Sequence, residues 1–120
     1  MRRVLVVDDD PDIREVIGVA LADEGYEVLT AEHGAAALLR VASSQPDVIL
    51  LDLRMPVMNG WEFARRYRQT PGPHAPIVVL TAWRDTEDDG NHVEADAFLA
   101  KPFRLGDLLS IVDRYTRQNA

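Results

Sequence analysis

The feature that most constrains the fold is a set of short aliphatic runs that contain no polar residue. Such runs occupy residues 4–7, 48–51 and 77–80. A strand with one face in water alternates apolar and polar residues, whereas a strand that is covered on both faces is apolar throughout. Segments with apolar residues at helical spacing separate these runs. This order predicts an α/β domain of the doubly wound kind, in which helices cover both faces of a parallel sheet.

The same reading gives the boundaries of the elements. The first helix follows an N-cap at Asp10 and a proline at its first position, Pro11, and Gly25 ends it. Another helix begins after an N-cap at Asn59. Two further helices are predicted at residues 34–43 and at about 105–112. The strands are predicted at residues 4–7, 26–31, 47–51, 77–81 and 97–100.

Composition excludes several classes of protein. The 120 residues suffice for one domain, residues 1–120. Because the chain has no cysteine, disulfides and thiolate metal sites are excluded, and this suits a cytoplasmic protein. No apolar segment is long enough to span a membrane, and the run after Arg2 and Arg3 is too short for a signal peptide.

Charge argues against direct binding of nucleic acid by this chain. The formal net charge is −7, whereas a nucleic-acid-binding domain usually presents a basic patch. The main basic cluster, at residues 64–68, is more typical of the solvated face of a helix. We therefore expect no nucleic acid among the direct partners.

The candidate site consists of the residues that end or follow the strands, because a doubly wound sheet binds ligands beyond the carboxyl ends of its strands. These residues are three aspartates after the first strand, one after the third, a threonine at the end of the fourth and a lysine after the fifth: Asp8, Asp9, Asp10, Asp52, Thr81 and Lys101. Each has an ordinary explanation by itself, such as helix capping for Asp10 or a loop acid for Asp52. The signal is that four strand ends converge on one edge.

The acids at this edge suit a divalent cation and a phosphoryl group. Carboxylates that lie close together repel one another, which raises their pKa values unless a cation is bound. Mg²⁺ takes oxygen ligands and commonly needs one or two carboxylates besides phosphate oxygens, so Asp8, Asp9 and Asp52 are candidate ligands. A carboxylate can also be the nucleophile that forms an aspartyl phosphate, which is the role predicted for Asp52. Lys101 would supply a positive charge and Thr81 a hydroxyl donor to the phosphoryl oxygens.

Four segments resemble the receiver domain of two-component response regulators: VLVVDDDPDIRE, VILLDLRMPVMNG, IVVLTA and KPF. The resemblance covers essentially the whole chain and implies a flavodoxin-like fold with strand order 2-1-3-4-5. It implies a phosphoacceptor in signal transduction, with Mg²⁺ as cofactor and a sensor histidine kinase or histidine phosphotransfer protein as phosphohistidine donor. It also implies a regulator rather than an enzyme, although one that takes part in its own phosphotransfer and dephosphorylation.

The resemblance assigns roles around the predicted metal site. It implies that Asp52 is the phosphoacceptor and that Asp8 and Asp9 are the acidic pair that serves Mg²⁺. It implies that the backbone carbonyl of Arg54 is a further metal ligand. The side chain of Arg54 is then free to vary without loss of the ligand.

The resemblance also implies a conformational switch. Thr81 corresponds to the switch hydroxyl, Lys101 to the lysine of the site and Phe98 to the aromatic switch position. Because Phe98 has no hydroxyl, any aromatic switch works through packing, and a plain core phenylalanine is an equal alternative. The peptide bond between Lys101 and Pro102 is expected to be cis, an isomer found mainly before proline.

The stretch between Thr81 and Lys101 departs from the family. It reads AWRDTEDDGNHVEAD, is slightly short and offers few apolar residues for a helix face. We predict a short, displaced or irregular fourth helix, with the conformation of residues 83–95 left open. Since the family commonly uses the fourth helix, the fifth strand and the fifth helix as its output face, homodimerisation through that face is left open too. His92 is more typical of an exposed loop than of a metal site.

Three other functions fit parts of the sequence. A Mg²⁺-dependent aspartyl-phosphate phosphatase often carries a second acid two residues after its nucleophile. This chain has Arg54 at that position, which argues against this function. A flavin-binding domain of the same topology needs a phosphate cradle where three aspartates would repel phosphate. A docking-only pseudo-receiver is disfavoured by the complete set of acids, threonine and lysine. Whether the receiver stands alone or belongs to a longer protein is left open.

Overall fold

The strands form one parallel sheet. The computed structural model describes residues 1–82 and 95–118. The described strands are β1 (Arg3–Val7), β2 (Glu27–Ala31), β3 (Val48–Asp52), β4 (Ile77–Ala82) and β5 (Ala97–Lys101). Their order in the sheet is β2-β1-β3-β4-β5, and all neighbouring strands pair in parallel. The fold class and the strand order expected from the sequence are confirmed.

The helices of the described ranges are α1 (Pro11–Asp23), α2 (Gly34–Ser44), α3 (Gly60–Gln69) and α4 (Leu105–Gln118). The predicted caps of α1 and α3 are both present. The side chain of Asp10 accepts a hydrogen bond from the amide of Asp12 at 2.9 Å, and that of Asn59 accepts one from Glu62 at 2.9 Å. After α1 the chain turns at Gly25, whose φ of 91° glycine adopts without steric cost.

The sheet separates two hydrophobic clusters. On one face, side chains of β1, β3 and β4 pack against α2 and α3, around the fully buried Phe63. On the other face they pack against α1 and α4, around Leu108. Successive residues of a strand point to opposite faces, so Leu5 and Val6 enter different clusters and both are 0% exposed. This burial on both faces accounts for the uninterrupted apolar runs in the sequence.

The two edge strands are less buried than the central three. Residues 27–30 of β2 are half-buried, and β5 alternates between half-buried and exposed residues. Phe98 in β5 is 50% exposed, so the alternative that made it a core phenylalanine is wrong. The physical reason is that residues of β5 are alternately half-buried and exposed, so its apolar run does not mean that both of its faces are covered.

One predicted element lies outside the described residues. The irregular fourth helix was predicted for residues 83–95, and of these, residues 83–94, which include His92, lie outside the described part of the chain. The peptide bond between Lys101 and Pro102 is cis, as the resemblance implied. Within residues 1–82 and 95–118, no helix combines the length and the apolar character that crossing a membrane requires.

Candidate functional site

The pairing of β1 with β3 brings their aspartates to one level. Val7 pairs with Leu51, so Asp8 and Asp52, the residues that follow them, are neighbours at the carboxyl edge of the sheet. Asp9 is the next residue of the chain. One carboxylate oxygen from each of these three aspartates lies within 4.8 Å of the other two. We refer to Asp8, Asp9 and Asp52 as the acidic cluster; the structure brings together the acids that the sequence selected as metal ligands.

Asp8 is the most firmly held member of the cluster. Its amide donates to the carbonyl of Ala31 at 3.1 Å, and its own carbonyl accepts from Nη1 of Arg14 at 2.7 Å. Its Oδ1 accepts from the amide of Asp10 at 2.9 Å and its Oδ2 from Nζ of Lys101 at 3.1 Å. Asp8 is only 1% exposed, and these partners satisfy a carboxylate that would otherwise be costly to bury.

The next two aspartates differ in what their carboxylates do. Asp9 is exposed and joins the acidic cluster. Asp10 is exposed as well, but its carboxylate accepts from the amide of Asp12 and caps α1. The capping explanation for Asp10 is therefore correct, and Asp10 does not belong to the acidic cluster.

Lys101 compensates part of the charge of the cluster. It ends β5, where it pairs with Ala82 of β4. Its Nζ lies 3.1 Å from Oδ2 of Asp8 and 3.5 Å from Oδ1 of Asp52. Burial by itself lowers the pKa of the ammonium group, but the carboxylates of Asp52 and Asp8 together raise it above 10.5. Lys101 is therefore fully charged at neutral pH.

The charge of Asp52 is nevertheless incompletely compensated. Burial, followed by the charges of Asp8 and Asp9, raises the pKa of Asp52 to about 6, although Lys101 lowers it. The side chain of Asp52 is 13% exposed, compared with 1% for that of Asp8. At neutral pH Asp52 thus carries a charge that its surroundings disfavour, and a cation bound beside it would lower its pKa again.

Thr81 and Phe98 lie on the strands next to the cluster. Leu80 pairs with Asp52, so Thr81 is one position beyond Asp52 toward the carboxyl edge, where it is 0% exposed. Phe98 pairs with Val79 and therefore lies deeper along the sheet than Thr81. The structure brings Thr81 to the edge where the sequence predicted it, while the ring of Phe98 occupies the half-exposed surface of β5.

The side chain of Arg54 contacts α3. Its Cζ lies 5.4 Å from the centre of the ring of Trp61, within the range of a cation–π interaction. Trp61 in turn packs against the hydrophobic cluster under α2 and α3. Arg54 follows Asp52 by two residues. The predicted metal ligand is its backbone carbonyl, and the contact with Trp61 involves only its side chain.

Gly60 supports the position of Asp52, a role that was not predicted from the sequence. A Cβ atom at Gly60 would overlap the carbonyl oxygen of Asp52 and would lie 2.8 Å from Cα of Leu53. The amide of Gly60 donates to the carbonyl of Leu53 at 2.8 Å. The first turn of α3 therefore packs directly on the backbone that carries Asp52. The only available signal in the sequence was a glycine next to the predicted cap, Asn59.

The geometry of the acidic cluster fits Mg²⁺. An octahedral Mg²⁺ ion binds oxygen at about 2.1 Å, which places neighbouring and opposite ligands about 3–4 Å apart. The three carboxylate oxygens, all within 4.8 Å of one another, lie close to this spacing. Burial, and after it the charges of Asp8 and Asp9, raise the pKa of Asp52 although Lys101 lowers it, and a cation at this edge would favour the ionised carboxylate. The donor set is therefore suited to a cation that prefers oxygen.

A doubly wound parallel sheet with an acidic cluster, a hydroxyl and a lysine at its carboxyl edge defines a class of phosphoryl-accepting signalling domains. The family model of the response regulator receiver domain matches residues 4–113. The chain belongs to this family and is a receiver domain of the kind found in two-component response regulators.

Individual relatives agree with this assignment. The chain is 40% identical over 120 residues to the DNA-binding response regulator MtrA of Mycolicibacterium smegmatis, covering 98% of this chain and 52% of MtrA. It thus spans about half the length of the curated relatives that it matches. The structure of TrrA from Thermotoga maritima in complex with Mg²⁺-BeF has a TM-score of 0.85 and 38% identity, covering 96% of this chain and 99% of TrrA. The chemotaxis response regulator CheY4 of Vibrio cholerae has a TM-score of 0.84 and 39% identity, with 96% and 98% covered.

Proposed function

We propose that Asp52 accepts a phosphoryl group from a phosphohistidine donor and that the phosphorylated domain then changes conformation. One observation carries this proposal: the carboxylates of the acidic cluster lie within 4.8 Å of one another, with Nζ of Lys101 3.5 Å from Asp52. Membership of the receiver family supports the same reading. The cluster concentrates negative charge at one edge of the sheet, where a cation and a phosphoryl group can offset each other.

Asp52 is better suited to act as the nucleophile than Asp8. Both carboxylate oxygens of Asp8 accept hydrogen bonds, and Asp8 is buried more deeply than Asp52. Above pH of about 6 the carboxylate of Asp52 is ionised and offers an oxygen lone pair. In the transfer this lone pair forms a bond to phosphorus while the phosphorus–nitrogen bond of the donor breaks. The electron pair of that bond leaves with the imidazole nitrogen.

We assign the metal-binding role to Asp8, Asp9, Asp52 and the backbone carbonyl of Arg54. When bound, Mg²⁺ neutralises charge on the phosphoryl oxygens and on the carboxylates. The presence of Mg²⁺-BeF in the structure of TrrA, 38% identical to this chain, supports this assignment. The hydrogen bonds of Asp8 keep its carboxylate directed into the cluster.

Lys101 and Thr81 act on the phosphoryl group after it arrives. The ammonium group of Lys101, already 3.5 Å from Asp52, provides a positive charge for a phosphoryl oxygen. The hydroxyl of Thr81, one position beyond Asp52 in the register of the sheet, donates to another. Thr81 is drawn toward the phosphoryl group, and Phe98, half-exposed on β5, changes its packing in response. The outcome is a shift in population between two conformations.

The donor that we propose is a sensor histidine kinase or a histidine phosphotransfer protein, in the cytoplasm. Receiver domains of response regulators are regulatory, and we propose that this chain acts as a phosphoacceptor that also assists its own phosphotransfer and dephosphorylation. The relative MtrA is described as DNA-binding, but this chain covers 52% of it. With a net charge of −7, we do not expect the chain itself to bind DNA.

A phosphorylation assay with matched variants tests the proposal. The protein is incubated with Mg²⁺ and acetyl phosphate, and its intact mass is measured. We expect the mass of one phosphoryl group to be added to the wild type and to Asp10→Asn, because Asp10 only caps α1 and asparagine caps equally well. Asp52→Asn should remain unmodified. Undiminished modification of Asp52→Asn would contradict the assignment of the acceptor, and an unmodified wild type would favour a docking-only domain.

A further inference from the structure

Arg14 ties helix α1 to the strand end that carries the acidic cluster. Its guanidinium Nη1 donates to the backbone carbonyl of Asp8 at 2.7 Å. Its own amide donates to the carbonyl of Asp10 at 3.1 Å. A side chain in the first turn of α1 thus reaches back over the whole turn between β1 and α1 and holds its first residue.

The orientation of Asp9 depends on this turn. Asp8 and Asp10, on either side of it, are joined by the hydrogen bond from the amide of Asp10 to Oδ1 of Asp8 at 2.9 Å. Asp9 is exposed, so little packing directs its carboxylate, and its direction follows from the backbone conformation. The bond from Arg14 fixes the carbonyl at the start of that backbone segment. Groups that orient metal ligands in this manner commonly change metal affinity by about 10- to 100-fold when removed.

We propose that Arg14 is a positioning residue for Mg²⁺ binding, which holds the β1–α1 turn so that the carboxylate of Asp9 faces that of Asp52. The proposal rests on the function proposed above. Two effects of Arg14 on cation binding have opposite signs. As a positive charge near the acidic cluster, Arg14 disfavours a cation, so removing its charge alone would tighten Mg²⁺ binding. As a positioning residue it favours Mg²⁺, and its removal weakens binding.

The test compares Arg14→Met with Arg40→Met by calorimetric titration of the metal-free proteins with MgCl₂. Methionine keeps most of the side-chain length but has neither charge nor donor. Arg40 is the matched control because its Nε donates to the backbone carbonyl of Thr30 at 3.1 Å, so Arg40→Met loses the same charge and a similar bond. We expect the Kd for Mg²⁺ to rise about tenfold in Arg14→Met and to change less than about twofold in Arg40→Met, because Thr30 contributes nothing to the acidic cluster.

Two further measurements separate positioning from a general structural effect. With acetyl phosphate as donor, the Mg²⁺ concentration for half-maximal rate should rise about tenfold in Arg14→Met, while the maximal rate at saturating Mg²⁺ stays near that of the wild type. In the metal-free protein, the amide of Asp10, which bonds to Asp8, should exchange hydrogen faster in Arg14→Met than in Arg40→Met. Overall loss of stability would instead accelerate exchange throughout the sheet.

Unchanged or tighter Mg²⁺ binding by Arg14→Met would overturn the proposal, since loss of the bond from Arg14 to Asp8 would then not have weakened binding. If Arg14→Met does not fold, Arg14→Leu, which also has neither charge nor donor, is measured instead, with the same two outcomes decisive. The titration also separates failure of this proposal from failure of the proposed function. If the wild type binds no Mg²⁺, both proposals are overturned. If the wild type binds Mg²⁺ and Arg14→Met binds it equally well, only the role of Arg14 is overturned.

Discussion

Replacing Asp52 by asparagine should stabilise the metal-free protein at neutral pH. Burial, with the charge of Asp8 next in size, raises the pKa of Asp52 from 3.8 to about 6 in the folded state. A carboxyl group whose folded pKa is raised contributes stability below its unfolded pKa and loses that contribution as the pH rises through the folded pKa. At about 1.4 kcal/mol for each pKa unit, the interval from 3.8 to about 6 amounts to about 3 kcal/mol. The side chain is 13% exposed, so solvent screening reduces this figure little.

Urea unfolding in EDTA between pH 4 and pH 8 measures this effect. The stability of Asp52→Asn relative to the wild type should increase between pH of about 4 and about 7, by up to about 3 kcal/mol, because asparagine does not ionise. Asp10→Asn should follow the wild type, since Asp10 lies outside the acidic cluster. Added Mg²⁺ should stabilise the wild type more than Asp52→Asn. A difference between Asp52→Asn and the wild type that does not change with pH would refute the reasoning.

Three other substitutions test separate parts of the account. Lys101→Met should slow phosphorylation by acetyl phosphate roughly 100-fold and move the pH midpoint of the reaction upward from that of the wild type, because Lys101 lowers the pKa of Asp52; an unchanged pH profile would contradict this. Gly60→Ala should lower the free energy of unfolding in urea by about 1–3 kcal/mol, because its Cβ would overlap the Asp52 backbone. Wild-type stability would show that the backbone at Asp52 moves aside without cost. Val57→Gly should raise the free energy of unfolding by up to about 1 kcal/mol, measured by thermal unfolding, because Val57 is 80% exposed at a φ of 68°. A lower free energy of unfolding would argue against a steric cost of the left-handed conformation at Val57.

The architecture follows from the sequence because each central strand is buried on both faces. The apolar runs of β1, β3 and β4 leave no solvated face, and only a sheet between two helix layers accommodates them. Parallel pairing then forces the residues after β1 and β3 to one edge, so the closeness of Asp8 and Asp52 is a geometric consequence of the fold. The strand order, by contrast, came from the resemblance, since local periodicity carries no information about which strands are neighbours.

Features that depend on tertiary contacts were harder to predict. Histidine has no marked preference for the N-cap position, yet Nδ1 of His33 accepts from the amide of Ala36 at 3.1 Å and caps α2. The exposure of Phe98 depends on the position of β5 at the edge of the sheet. The bond from Arg14 to Asp8 joins two residues of one motif, but only the folded turn between them brings donor and acceptor together.

The most direct test of the central claim is to locate the modification chemically. The protein is treated with Mg²⁺ and acetyl phosphate, an acyl phosphate is reduced with borohydride, and the resulting homoserine is located by peptide mass spectrometry. The account predicts homoserine at position 52, dependent on Mg²⁺ and absent when EDTA is present. Reduction at Asp8 or Asp9, or modification of Asp52 to the same extent without a divalent cation, would contradict it.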